Sequence, residues 1–469
     1  MRRRDFLALA GAHAVTALGA AAQRAHAESL DSPSPKRPNV ILCMTDDQGW
    51  GDVAYNGHPV LKTPHLDAIA GSGIRFNRFY SGAPVCSPTR GSCLTARHPY
   101  RYGVFNANAG HLPQEERTLA EALKQAGYTT GHFGKWHLGT LTKTVKESNR
   151  GGPRGIAHYA PPWEHGFDVC FSTEAKVPTW DPMKDPESDA PYGTHYWDET
   201  GAVVTENLEG DDARVIMDRV IPFVRRAVEE GQAFFAVVWF HTPHRPVVAG
   251  PEFLEMYEGV PESERHFYGC LTAMDRQVGR LRGELRDLGV ADDTMLWFCS
   301  DNGPEGKAGS APGSAGPLRG RKRDLFEGGV RVPGLLEWPA KIPRPRVVDL
   351  PCSTLDYFPS VLEAVGIGPE GRPSPVDGVS LMPLIEGTMR SRPAPIAFES
   401  RNQVALTDNR YKIISTDGGN TYMLFDLVAD PGEKTNLAPQ KPEVVARMKA
   451  ILEPWRASCK RSLAGGDYD

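Results

Sequence analysis

The 469-residue sequence predicts an α/β fold: a large doubly wound mixed sheet flanked by helices, followed by a smaller antiparallel sheet with a closing helix. Three observations carry this. Short apolar runs end abruptly in acids or histidines, capped amphipathic stretches separate them, and near residue 390 the texture changes to short strands joined by Asn, Asp and Gly turns.

The first run, Val40 to Met44 in "RPNVILCMTDDQGWGD", has no polar alternation and so reads as a strand buried on both faces. "TPHLDAIAGS" (63–72) and "TLAEALKQAG" (118–127) each open on a capping Thr and carry a Gly near the end, which predicts helices. "AFFAVVWF" (233–240) and "DTMLWFCSD" (293–301) repeat the strand-then-polar pattern, and "HFYGCLTAMDRQVGRLRGELRDLG" between them is an amphipathic helix. "RNQVALTDNRYKIIS" and "TYMLFDLVADPGEKTN" read as short strands, and "PEVVARMKAILEPWRA" as the closing helix. The expected layout is a large domain over 38–390 and a small one over 391–469.

The N-terminus has a basic head (Arg2 to Arg4), a mildly apolar run from Phe6 to Ala22, and small residues at Ala25 and Ala27. This predicts a twin-arginine-type signal peptide over 1–27, a polar linker over 28–37, and export by the twin-arginine (Tat) machinery to a bacterial periplasm or beyond. His13, Thr16 and several glycines make the run too polar for a stable membrane anchor. A net charge of −5 gives no basic excess for nucleic acid. Eight cysteines without a CxxC pair exclude a disulfide scaffold and a zinc finger. Cys43, Cys270 and Cys299 lie in apolar segments and read as small buried hydrophobes. Cys86 is different: it stands between Pro84 and Pro88, four residues before Arg90. A disulfide half, a buried thiol, a nucleophile and a residue destined for modification all remain open for it.

Polar clusters follow three of the predicted strands: Asp46-Asp47, His241 to His244, and Asp301-Asn302. One acidic pair is most often a helix cap or solvated. Two such sites following separate strands of one sheet could bind a single hard cation, Ca²⁺ or Mg²⁺, through oxygen. Cations form a second set: Lys135 with His137, which share a side if the chain is extended there, and Lys322 among Arg319, Arg321 and Arg323. A basic run alone is usually a solvated face. Beside a divalent cation it suits an anionic substrate rich in oxygens, such as a phosphate or sulfate ester.

"CSPTR" (86–90) resembles the C-x-P-x-R motif of the type I, formylglycine-dependent sulfatases of the alkaline phosphatase superfamily, and "LTARHPYRYG" follows it as in that family. "TDDQGWGD", "GYTTGHFGKWHLG", "TPHRP", "SDNG" and "KRDLFEGG" fall in family order, and the resemblance spans residues 37–455. It implies an alkaline-phosphatase-like fold and an exported arylsulfatase-like enzyme hydrolysing sulfate esters, with a sulfated carbohydrate as the expected substrate. It also implies that a separate maturation enzyme oxidises Cys86 to Cα-formylglycine, whose hydrate attacks sulfur. The resemblance makes Asp46, Asp47, Asp301 and Asn302 the ligands of one Ca²⁺, with modified Cys86 beside it. Arg90 then orients the hydrate, Lys135 and Lys322 hold sulfate oxygens, His137 is the base, and His244 contacts the leaving group. His241 is a neighbour without an assigned role. Two alternatives stand at this point: a phosphomonoester or phosphonate hydrolase of the same superfamily, and an inactive binder of sulfated glycans. The loops 140–200 and 245–265 and the C-terminal domain are expected to set specificity.

Overall fold

A computed structural model describes residues 37–148, 150, 153–368 and 374–468. The expected signal peptide and all but the last residue of the linker lie outside the described residues. Among them, no helix is long and apolar enough to cross a membrane.

Ten strands form the main sheet. In spatial order they are β12 (Arg346–Val348), β2 (Ile74–Phe76), β11 (Gly334–Glu337), β9 (Thr294–Ser300), β1 (Asn39–Thr45), β8 (Phe234–Trp239), β4 (Thr129–Lys135), β5 (Val169–Thr173), β6 (Tyr196–Asp198) and β7 (Val203–Val204). The five central strands, β9-β1-β8-β4-β5, are mutually parallel. β11 on one side and β6 and β7 on the other run antiparallel to their neighbours, so the sheet is mixed, as predicted. β3 (Phe79–Tyr80), β10 (Arg331–Val332) and β13 (Cys352–Ser353) make a small separate sheet.

The unbroken apolar run of β1 is explained by its two buried faces. Val40, Leu42 and Met44 pack on one helix layer, with Leu94, Leu119, Leu123 and Phe358. Ile41 and Cys43 point into the other, with Leu66, Ile69, Val220 and Leu271. The predicted helices appear as Pro64–Ser72, Leu119–Gln125 and Glu262–Asp287, the last starting four residues early. Thr118 and Glu121 close a reciprocal capping box, which satisfies two of the free N–H groups at that helix start. Trp297 is fully buried, stacked on Phe76 at 5.7 Å and packed on Tyr357 at 4.9 Å. Trp297→Ala is expected to cost about 3–5 kcal/mol through the cavity it leaves. A thermal scan should show the transition lowered, and an unchanged midpoint would contradict this packing account.

The C-terminal sheet is an antiparallel meander: β14 (Ile396–Ser400), β15 (Gln403–Thr407), β16 (Tyr411–Ser415) and β17 (Met423–Asp426). The helix Pro442–Leu463 covers one face through Met448 and Leu452. The other face packs on Leu325, Phe326 and Tyr80. Lys412 reaches through this contact to Glu327 and Glu433, 3.0 Å from each, all fully buried. A buried charge needs such partners, and these tie the small sheet to the segment that carries Lys322.

Candidate active site

Because β9, β1, β8 and β4 are adjacent and parallel, their carboxyl ends open on one edge, where open α/β sheets hold their ligands. Asp46 and Asp47 follow β1, Asp301 and Asn302 follow β9, His241 to His244 follow β8, and Lys135 ends β4. The ladder extends past the strands, with Asp46 N donating to Thr242 O at 3.0 Å and Asp301 N to Thr45 O at 3.0 Å. Asp47 sits at φ 69°, a conformation that a short polar side chain tolerates, and its carboxylate turns toward Asn302 and Lys322.

Cys86 is the first residue of a helix, Cys86–Thr95, whose ten residues are all buried. No amphipathic pattern announces this helix. Three of its hydroxyls bond to backbone carbonyls instead: Thr89 Oγ1 donates to Ala83 O at 2.8 Å, Ser92 to Thr89 O at 2.8 Å, and Thr95 to Gly91 O at 3.0 Å, while Ser87 Oγ is buried without a partner. Pro88 is accommodated in the first turn, where backbone N–H groups have no intrahelical acceptor. One turn on, Arg90 donates through Nε and Nη2 to Asp301 Oδ2, at 3.2 and 2.7 Å, and through Nη1 to Lys135 O at 2.9 Å. Burial pushes the Cys86 thiol above its usual range, although Lys135 and Lys322 pull the other way. An unmodified cysteine here is a poor thiolate nucleophile at neutral pH.

Carboxylates and cations interlock around it. Lys135 Nζ lies 2.5 Å from Asp46 Oδ2, Lys322 Nζ lies 2.6 and 2.8 Å from the two oxygens of Asp47, and Asn302 donates to Asp47 Oδ1 at 2.7 Å. Burial and the facing Asp46 push Asp301 up to about 7. Burial would raise Asp46 as well, but Lys135, His244 and Arg90 hold it well below the usual carboxylate range. One ligand atom from each of Asp46, Cys86 and Asp301 lies within 4.8 Å of the others, and the same holds for Asp46, Asp47 and His244. Two buried acceptors in this cluster, Asp46 Oδ1 and Asn302 Oδ1, have no hydrogen-bond donor. A hard cation satisfies such oxygens, so the residues present fit an oxygen-bound divalent ion.

The cavity above the cluster encloses about 740 Å³ and is reached by Asp47, Cys86, Lys135, His137, His244 and Lys322. All ten residues singled out for the site are therefore gathered here, either lining the cavity or bonded beneath it. His137 arrives differently from the sequence expectation. The strand stops at Lys135, and His137 sits at φ 59°, so the turn and not an extended chain brings both into the cavity. Its Nε2–H donates to Asn108 Oδ1 at 2.7 Å, leaving a buried Nδ1 without a partner. Burial and Lys135 keep the ring well below the usual imidazole range, hence neutral. His244 donates Nδ1–H to Arg245 O at 2.8 Å, so that Nε2 is left facing Asp47 at 3.7 Å. His241 does not reach the cavity. It is fully buried between Asp212 and Thr173, each 2.8 Å away, and serves as internal structure.

Sequence reasoning missed Asn108 and Glu305, the latter 3.2 Å from Lys322. Neither sits in a recognisable motif. Of the aromatics in 180–197, Tyr192 alone lines the cavity, while Trp197 donates to Glu147 beneath it. All eight cysteines are buried and free.

The parallel central strands open their carboxyl edge onto lysines and histidines above a carboxylate cluster, an arrangement that suits an anionic ester. Residues 38–367 match the Sulfatase family profile, and residues 321–458 match that described as N-sulphoglucosamine sulphohydrolase, C-terminal. The chain is 33% identical over 405 residues to N-acetylgalactosamine-6-sulfatase of Canis lupus familiaris, covering 81% of this chain and 72% of that protein. It is 31% identical over 464 residues to arylsulfatase A of Homo sapiens, covering 88% and 87%. The crystal structure of Ps i-CgsB in complex with k-i-k-neocarrahexaose superposes with a TM-score of 0.78 at 25% identity, over 90% of this chain and 93% of that one. The chain belongs to the sulfatase family, with the alkaline-phosphatase-like fold, and is a sulfuric ester hydrolase.

Proposed function

We propose that the protein is an exported sulfatase acting on a sulfated carbohydrate, with formylglycine made from Cys86 and one Ca²⁺ held by Asp46, Asp47, Asp301 and Asn302. The observation that carries this is the pair of buried, donorless oxygens on Asp46 and Asn302 beside Cys86, with Lys135 and Lys322 at the cavity floor. Formylglycine, as its hydrate, supplies a nucleophilic hydroxyl and an intramolecular exit for sulfate, and Ca²⁺ supplies compensating positive charge. The chain's own groups do the rest. Lys135 and Lys322 bind sulfate oxygens, Arg90 fixes Asp301, the free Nδ1 of His137 accepts a proton, and His244 Nε2 meets the leaving oxygen. Residues 38–390 form the catalytic domain and 391–469 the small one that closes it. A maturation enzyme and the Tat machinery act on the chain before it works. The similar proteins support a carbohydrate substrate: they include an N-acetylgalactosamine-6-sulfatase and a protein whose crystal structure holds a neocarrahexaose.

The test is sulfate release from a panel of sulfated mono- and oligosaccharides in ¹⁸O-water. Label in the sulfate supports attack at sulfur, and label in the alcohol rejects it. Within that panel, His244→Ala is expected to lose about 10²–10⁴-fold on sugar-alcohol leaving groups, the span typical of general acid–base catalysis. Activated aryl sulfates need little protonation and should fall far less. Equal losses on both would reject leaving-group contact by His244.

A further inference from the structure

The acids that line the cavity are all taken. Asp47 is held by Lys322 and Asn302, Glu305 by Lys322 and Arg323, and Glu147 by His195 and Trp197. Three of the cations are not. Lys176, Arg245 and Arg401 line the same cavity, are exposed, and have no ion pair or side-chain hydrogen bond among the described residues. They come from three separate places: the loop after β5, the turn after β8, and the tight turn between β14 and β15 of the C-terminal sheet. Elsewhere on the surface some exposed arginines find acids, as Arg225 with Glu284 and Arg276 with Glu252, so what sets these three cations apart is that they meet at one cavity. Three unpaired cations converging on one rim raise the local potential and leave donors aimed at whatever fills the cavity.

We infer that Lys176, Arg245 and Arg401 form a second anion subsite, which selects a substrate carrying a further anionic group, sulfate or carboxylate, beyond the sulfate that is cleaved. Lys135 and Lys322 lie at the floor on Asp46 and Asp47, so the scissile sulfate is bound without the rim. A cavity of about 740 Å³ lies in the upper part of the range usual for small-molecule sites and leaves room above the sulfate. Arg401 matters most for the argument. Its backbone sits at φ 55° and its N–H donates to Tyr100 Oη at 2.7 Å, so the turn is held at the rim although it belongs to the other sheet. The inference deepens the proposed carbohydrate reading and rests on it.

The test compares the mature enzyme with the triple variant Lys176→Gln, Arg245→Gln, Arg401→Gln. Three probes are used: 4-nitrophenyl sulfate, a neutral-sugar tetrasaccharide with several sulfates, and a uronate-containing tetrasaccharide with one. Binding of both tetrasaccharides is also followed by calorimetry at two salt concentrations. The expected result is that kcat/KM on one or both tetrasaccharides, relative to 4-nitrophenyl sulfate, falls at least tenfold in the triple variant. Affinity for the same probe should lose much of its salt dependence. Loss with the multiply sulfated probe identifies sulfate as the second anion, and loss with the uronate probe identifies carboxylate. A ratio that stays constant for both probes overturns the subsite. Failure of the carbohydrate reading looks different: 4-nitrophenyl sulfate is hydrolysed while neither tetrasaccharide binds or reacts, and the subsite then falls with it. The single variant Arg401→Lys separates charge from packing, since it should keep most of the preference while Arg401→Gln should not.

Discussion

Cys86→Ala is expected to leave a folded protein with turnover reduced by roughly 10⁴-fold or more, the scale seen when a covalent nucleophile is removed from an active site. The same inactive, folded state should result when the wild-type chain is made in a host without the maturation activity. Two features of the structure make the loss so large. The Cys86 thiol is buried, its ionisation is suppressed, and so the unmodified residue has no second way to act. Of the neighbouring residues, Arg90 is bound to Asp301, and Ser87 is buried in the same turn and does not line the cavity. Folding should survive because alanine suits a helix start that is already held by the rest of the Cys86–Thr95 helix. Mass spectrometry of the peptide spanning position 86 should show the aldehyde in active protein, captured by a hydrazide. Full activity in protein that carries only cysteine there would end the formylglycine reading.

Asp301→Ala should lose bound calcium and activity together, and stability besides. Asp301 Oδ2 is the shared acceptor for two Arg90 nitrogens, and both side chains are fully buried. Removing the acid leaves the buried guanidinium only the more distant Asp46, 3.7 Å away, as its charged partner, and breaking a buried ion pair typically costs about 3–5 kcal/mol. Chelation of the wild-type protein should abolish turnover, with recovery on adding Ca²⁺, and the variant should not recover. Metal analysis and a thermal scan on both proteins read the two effects separately. The Asp301→Asn variant keeps the shape and a weak oxygen ligand, so it should be more stable than Asp301→Ala while remaining inactive. Stoichiometric zinc in place of calcium in active protein would reject the ion proposed.

The central strands and the acids at their ends were legible in the sequence, because a strand buried on both faces must be apolar throughout and a ligand-bearing turn must then break it. Val40 to Met44 followed by Asp46-Asp47 is such a signal, and so is 293–301. The motif around Cys86 identified the family, yet its helix was invisible to pattern, since all ten residues are buried and the usual polar face is missing. Likewise Asn108 lies 29 residues from the His137 it holds, Asp301 lies 211 from Arg90, and Arg401 comes to the cavity rim from a different sheet. The chain alone marked the apolar central strands and the capped amphipathic helices, and which residue types could carry ester chemistry. It did so because periodicity and capping act within a few residues of chain. Only the folded arrangement settled that His137 and His244 face the cavity while His241 does not, which ring nitrogen is free, and which cations go unpaired. Those outcomes depend on side chains brought together only when the parallel strands align their ends and the C-terminal sheet docks against them.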